Sequence, residues 1–297
     1  MRTRIVIASF AVLAVLGAIG AVIWKFAYQG GVSLPVPIRS EYCTAQTDGE
    51  VTLGLDQMAN AATITAVGIR RGVPERAVTI ALATALQESK LNNLDGGDRD
   101  SIGLFQQRPS QGWGTPTQIA DARYAANRFY AALLHVKNWP KLTVTAAAQA
   151  VQHSAHPDAY QKWSDEAAIL AAALMGDKSA AVTCSVSTTP HSRGPQALAE
   201  LTGSLQADWG KLTSAMTTTP DSVSLAVIDS HRGWQYAHWL VAHASLASIQ
   251  RIQFGNLAWT ATEGTWQAVK TASTHPTSMS TDTVIAQVFS APPPKSR

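Results

Sequence analysis

The sequence predicts three parts: an N-terminal membrane-spanning helix, a mostly α domain with one small hairpin, and a small α+β domain with a mainly antiparallel sheet. Three observations carry this. An uncharged apolar run fills residues 5–24. Capped, helix-periodic segments follow one another between about residues 56 and 176. Beyond residue 222 the pattern changes to short alternating runs broken by turn residues, the signature of paired strands.

Residues 5–24 are long enough to span a bilayer, and Arg2 and Arg4 precede them. The positive-inside tendency puts residues 1–4 in the cytoplasm and everything after Trp24 outside. A cleaved signal peptide with a small-x-small site at Ala18-Ile19-Gly20 is the competing reading. The run is long for a signal core, which favours an uncleaved anchor in the cell membrane. Both readings export the rest of the chain. Residues 25–40 contain Gly and Pro without helical period and read as a stalk. The two cysteines, Cys43 and Cys184, bracket the helical region. In an exported chain they are expected to pair, rather than to remain thiols or hold a metal.

The first domain is expected over 41–184. Its helices read as Asp56–Arg71, then a segment from Pro74 to Ser89, then Asp121–Val136, Thr143–Ser154, and a last one opening at His156-Pro157-Asp158 and stopping at Gly176. Thr115-Pro116-Thr117-Gln118 has the form of a capping box. Asn92 to Ser101 contains Asp95-Gly96-Gly97-Asp98 and predicts the small hairpin. Residues 185–195 read as a linker and 196–290 as the second domain: an amphipathic helix from Gln196 to Met216, a strand at Ser222–Asp229 and a helix at Trp234–Ser248. Further strands are expected at Ile249–Phe254, Leu257–Thr260, Thr265–Val269 and Thr283–Phe289, leaving 291–297 as a tail.

A formal charge of +3, with Lys and Arg spread along the chain, gives no basic stripe and excludes nucleic acid as the expected partner. Metal sites are weakly supported. Asp95, Asp98 and Asp100 lack a distal bidentate Glu, Pro157 separates His153 from His156 by a helix boundary, and His238 and His243 are five apart on a helix. No cofactor is expected.

The chemistry centres on Glu88, near the end of an apolar helix, on one face with Ala81, Thr84 and Ala85. Such neighbours disfavour an ionised carboxyl, which suits a general acid working near neutral pH. Glu88-Ser89, followed by Gly103-Leu104-Phe105-Gln106, resembles the signature of the lysozyme-like lytic transglycosylases: Glu-Ser at a helix end, then Gly-Leu-(Met/Phe)-Gln, then Ala-Tyr-Asn on a later helix. In that last position this chain has Ala150-Val151-Gln152. The resemblance covers about residues 50 to 175. The segment from Gln107 to Gly114 also resembles membrane-anchored actinobacterial proteins, some carrying the label heavy metal transporter. One spanning segment provides no path for an ion, so transport is rejected as the chain's own activity.

The resemblance implies cleavage of β-1,4 bonds in peptidoglycan glycan strands. Glu88 would protonate the glycosidic oxygen, then take a proton from the sugar's 6-hydroxyl as an anhydro ring closes. A second carboxylate is unnecessary in that scheme, whereas help from Asp98 or Asp100 would make a muramidase. Ser89, Gly103, Leu104, Phe105, Gln106 and Gln152 are the implied substrate-binding residues, with Phe105 offering an apolar face to a sugar ring. Val151 lacks the family hydroxyl, and Tyr160 is weighed both as its replacement and as a packing residue. The rival readings are a non-cleaving wall-binding module and a structural protein meeting envelope partners through residues 196–290.

Overall fold

The structure, a computed structural model, describes residues 40–154, 158–212, 216–269 and 282–292. The expected membrane span at 5–24, the stalk up to residue 39 and the opening residues His156 and Pro157 lie outside these. Among the described residues no helix is long and apolar enough to cross a membrane.

The described part of the chain begins with strands, where the sequence led to the helix at Asp56 as the first element of this domain. Strand β1 (Tyr42–Gln46) turns back into β2 (Glu50–Leu53), and β3 (Val182–Ser185) pairs on β1's other side, giving an antiparallel sheet of order β2-β1-β3. Cys43, Ala45, Val51 and Leu53 are buried, and the residues between them are more open, the two-residue period of a half-covered sheet. Cys43 and Cys184 stand opposite one another in the β1–β3 register and form a disulfide across 141 residues. Closing so long a loop stabilises the fold by about 5 kcal/mol in the chain-entropy account.

The expected hairpin at 92–101 is absent. Those residues form turns, and the only ladder fragment beside them is the single bridge Ile102–Gln107. The reason is physical: Asp95 to Asp100 offers no alternate apolar side chains to bury, and Leu94 stays exposed.

Helix α1 (Leu55–Arg70) is buried on almost every side because it is the hub of the packing. It meets α2 (Glu75–Ser89), α4 (Ala122–His135), α7 (Gly194–Trp209) and α8 (Ser230–Ala242). Gly68 permits the closest of these approaches, since a Cβ there would lie 2.8 Å from Tyr130 Oη. Tyr130 Oη donates instead to Ile64 O at 3.1 Å. Between α2 and α4 comes the short α3 (Pro116–Ala120), whose Thr115–Gln118 capping box is formed as expected. Helices α5 (Val144–Gln152) and α6 (Ser164–Leu174) pack on α2.

The second sheet has the order β4-β5-β9-β6-β7-β8, all antiparallel, from β4 (Met216–Thr219), β5 (Ser222–Ala226), β6 (Ile249–Phe254), β7 (Leu257–Thr260), β8 (Trp266–Ala268) and β9 (Thr283–Val288). Helix α8 lies against β6 and β9 and also meets α1, α6 and β3, so it is buried from Gly233 to Ala242. Glu41 onward therefore forms one compact unit, with residues 185–195 as a connection inside it and one core running through both halves.

A buried polar knot joins the halves. Asp208 on α7 is fully buried and accepts from Thr63 Oγ1 of α1 and Trp239 Nε1 of α8, each at 2.8 Å. Its other oxygen pairs with Arg123 of α4. His243 lies beside it, and burial holds its imidazole below the usual histidine range, the Asp208 charge opposing that trend.

Candidate active site

Glu88 occupies the last turn of α2, and that turn is fastened from several directions. Ser89 Oγ donates to Ala85 O and to Leu104 O at 3.1 and 2.8 Å. Gln57 Nε2 and Asn60 Nδ2 of α1 donate to the carbonyls of Lys90 and Leu91 at 2.7 and 2.8 Å. These bonds satisfy carbonyls that a helix end leaves orphaned, and they fix the direction in which Glu88 leaves the helix.

One oxygen of that carboxyl is held by two donors. Tyr160 Oη donates to Glu88 Oε1 at 2.6 Å, and Gln152 Nε2 donates to the same atom at 3.3 Å. Gln152 Nε2 also reaches Phe105 O at 2.7 Å, tying α5 to the Gly103–Gln106 turn. Burial first, and the Glu88 hydrogen bond second, push the Tyr160 hydroxyl far above its ordinary range, so it remains a neutral donor. Oε2 of Glu88 has no protein partner among the described residues. Next door, Trp163 Nε1 donates to Gln87 Oε1 at 2.9 Å.

Glu88 is half-buried and lines a cleft of about 680 Å³ together with Asp98, Gln106, Arg108, Trp113 and Gln152. A neighbouring hollow of about 830 Å³ shares Gln111, Trp113, Gln152 and His153 with it, so the two run together past Trp113. Such volumes suit oligomeric or drug-sized ligands. Asp98 is the cleft's other carboxylate, and Arg108 holds it in an ion pair at 2.8 Å while donating to Ser101 Oγ at 3.0 Å. Arg108 is thereby engaged away from Glu88. Asp100 is turned to Ser110, whose amide and hydroxyl bonds hold its carboxyl below the usual range.

The expected substrate residues divide into two groups. Gln106 and Gln152 line the cleft beside Glu88. Ser89, Gly103, Leu104 and Phe105 do not: all four are buried. Phe105 stacks on Phe129 with centroids 4.8 Å apart, which corrects the expectation that it faces a sugar ring. Gly103 adopts φ +77, and a Cβ there would lie 2.8 Å from Ile119 O, so the motif's glycine serves a tight backbone approach. Tyr160 is fully buried behind Glu88 and cannot itself touch a ligand in the cleft. Among the described residues, no group of three or more His, Cys, Asp or Glu is placed to hold a metal.

Trp113, Arg99 and Ser101 line the cleft without having been expected as site residues, and so does His153, which the sequence offered only as a candidate metal ligand. The signal for Trp113 was an aromatic between Gly112 and Gly114, residues that mark a loop, and it is half-buried there against the core. No protein-family model matches this chain, and no curated protein matches it as a relative.

Proposed function

We propose that this protein cleaves the β-1,4 glycosidic bonds of peptidoglycan glycan strands, as a lytic transglycosylase does, on the outer side of a membrane to which residues 5–24 anchor it. The observation that carries the reading is the Glu88 carboxyl: one oxygen held by Tyr160 and Gln152, the other unpartnered, at the edge of an elongated cleft. A proton on Oε2 is available to a glycosidic oxygen. When it leaves, the new negative charge is met by two donors already in position, the arrangement that lowers a barrier most because nothing has to reorganise.

The second half-reaction returns the proton. The carboxylate removes it from the sugar's 6-hydroxyl, whose oxygen bonds to the anomeric carbon as the leaving sugar departs. No water is consumed and no second carboxylate is required. That the cleft's other acid, Asp98, is already paired with Arg108 favours this route over one in which it activates water. Tyr160 takes over, from a different place in the chain, the hydroxyl that Val151 lacks.

Purified full-length protein incubated with sacculi tests the reading. Soluble muropeptides ending in anhydro sugars are expected by mass spectrometry, and Glu88→Gln abolishes them. Retention on sacculi without release would replace the enzyme with a wall-binding protein.

A further inference from the structure

A third hollow, of about 360 Å³, shares no lining residue with the Glu88 cleft and lies where the end of α1, the end of α7 and the β5–α8 connection meet. Its lining carries Arg70, Lys211 and Arg232 and no acidic residue. None of the three makes an ion pair among the described residues. The two carboxylates that adjoin this lining in sequence are both engaged: Asp229 caps α8 through the Arg232 amide at 2.7 Å, and Asp208 is paired with Arg123. Arg232 stands in the first turn of α8, where the helix's own partial charge is positive and a cation is disfavoured.

The walls are aromatic. Trp209 and Tyr236 meet edge to face with centroids 4.7 Å apart, and the Arg232 guanidinium lies 6.0 and 5.9 Å from their rings. Trp209 is 8% exposed, yet its Nε1–H is buried without a partner. A buried donor left unpaired is destabilising. Beside these polar groups the lining is apolar, and Ile228 is 89% exposed, an unusual position for a large aliphatic side chain.

We propose that this hollow binds a phosphate group carried on an apolar molecule, as in an anionic phospholipid headgroup. Arg70 and Arg232 supply forked donors and Lys211 a third positive charge, and Ile228, Val227 and Leu212 meet the first carbons of the apolar part. A ligand of this kind would place the basic face against a lipid surface.

The test uses the full chain, ¹⁵N-labelled, in a nonionic detergent. Its reporter is the Trp209 indole resonance, identified by its loss in Trp209→Phe. Inorganic phosphate is expected to move that resonance saturably. Dihexanoylphosphatidylglycerol should do so at about tenfold lower concentration, the worth of one buried aliphatic contact. Dihexanoylphosphatidylcholine, with no net charge, should need more than the glycerol lipid. Arg232→Gln and Arg70→Gln should each weaken both anions by about tenfold, the loss of one charge-assisted bond. Ile228→Ser should erase the lipid's advantage and leave phosphate unchanged. A response to phosphate alone would support the anion site and overturn its lipid part. No response to either anion, or titration of the arginine variants like the parent protein, would overturn the site.

Discussion

Replacing Asp208 by Asn tests whether the buried knot holds the two halves of the unit together. The carboxylate accepts from Thr63 and Trp239 on one oxygen, and its other oxygen faces the Arg123 guanidinium in an ion pair. An amide of the same shape has one acceptor, so at least one of three donors loses its partner, and its NH₂ group faces a donor at close range. Arg123 is one-third exposed and regains some solvation, whereas Thr63 and Trp239 do not. Removing one side of a buried ion pair costs about 3–5 kcal/mol, and two stranded neutral donors keep the estimate in that range. With a urea slope of about 3 kcal/mol per molar, the unfolding midpoint falls by about 1–2 M. The assay is equilibrium urea unfolding of the full chain, followed at once by near-ultraviolet circular dichroism and tryptophan fluorescence. A loss below about 1 kcal/mol would refute the argument, because the donors would then have found other partners. Because the knot spans α1, α4, α7 and α8, the two probes should also cease to coincide in the variant.

Three further outcomes follow from the same coordinates. Tyr160→Phe removes a donor to a charged group worth about 1.5–3 kcal/mol, so anhydro-sugar release should fall about 10- to 100-fold with unchanged binding to sacculi. Phe105→Ala should lower stability by about 3–5 kcal/mol, measured by thermal unfolding, because its ring fills the core against Phe129 rather than a sugar subsite. His238 is fully buried, accepts from Ala181 N and lies 2.7 Å from Ala173 O, and burial lowers its pKa from 6.5 to about 4. The unfolded chain then binds the extra proton first. Stability is complete above pH 6.5 and declines as pH falls toward 4, by about 3 kcal/mol from this residue. His243 acts in the same direction. Urea midpoints measured from pH 7 to 4 should show that slope, and His238→Gln should flatten it.

The elements that were legible are those whose signals are local. The Thr115–Gln118 box, the Asp121 cap and the β6–β7 turn at Gly255-Asn256 each announce themselves within four or five residues. Strand β3 could not be read in this way, because its partner β1 lies about 140 positions off, and β1 and β2, although a local hairpin, are only five and four residues long. Strand β4, a run of Thr beside Met216, carries almost no alternation. At the site, a short motif identifies residues without giving their direction. Gly103 at φ +77 and Gln106 at φ 46 reverse the backbone around Leu104 and Phe105, and it is this turn that sends both rows of atoms inward and leaves only carbonyls for Ser89 and Gln152. Tyr160 meets Glu88 across 72 positions, a proximity that only packing of the 158–163 segment on α2 creates.

The covalent tie between Cys43 and Cys184 has a mechanical consequence. Tension applied to the backbone ahead of Cys43 passes straight through sulfur into β3, skipping every position between the two cysteines. The helices that set the tilt of Glu88 sit inside that shortcut. A chain pulled from its beginning would strain its first few residues and the far side of the molecule, while the interior that orients the carboxyl stays slack.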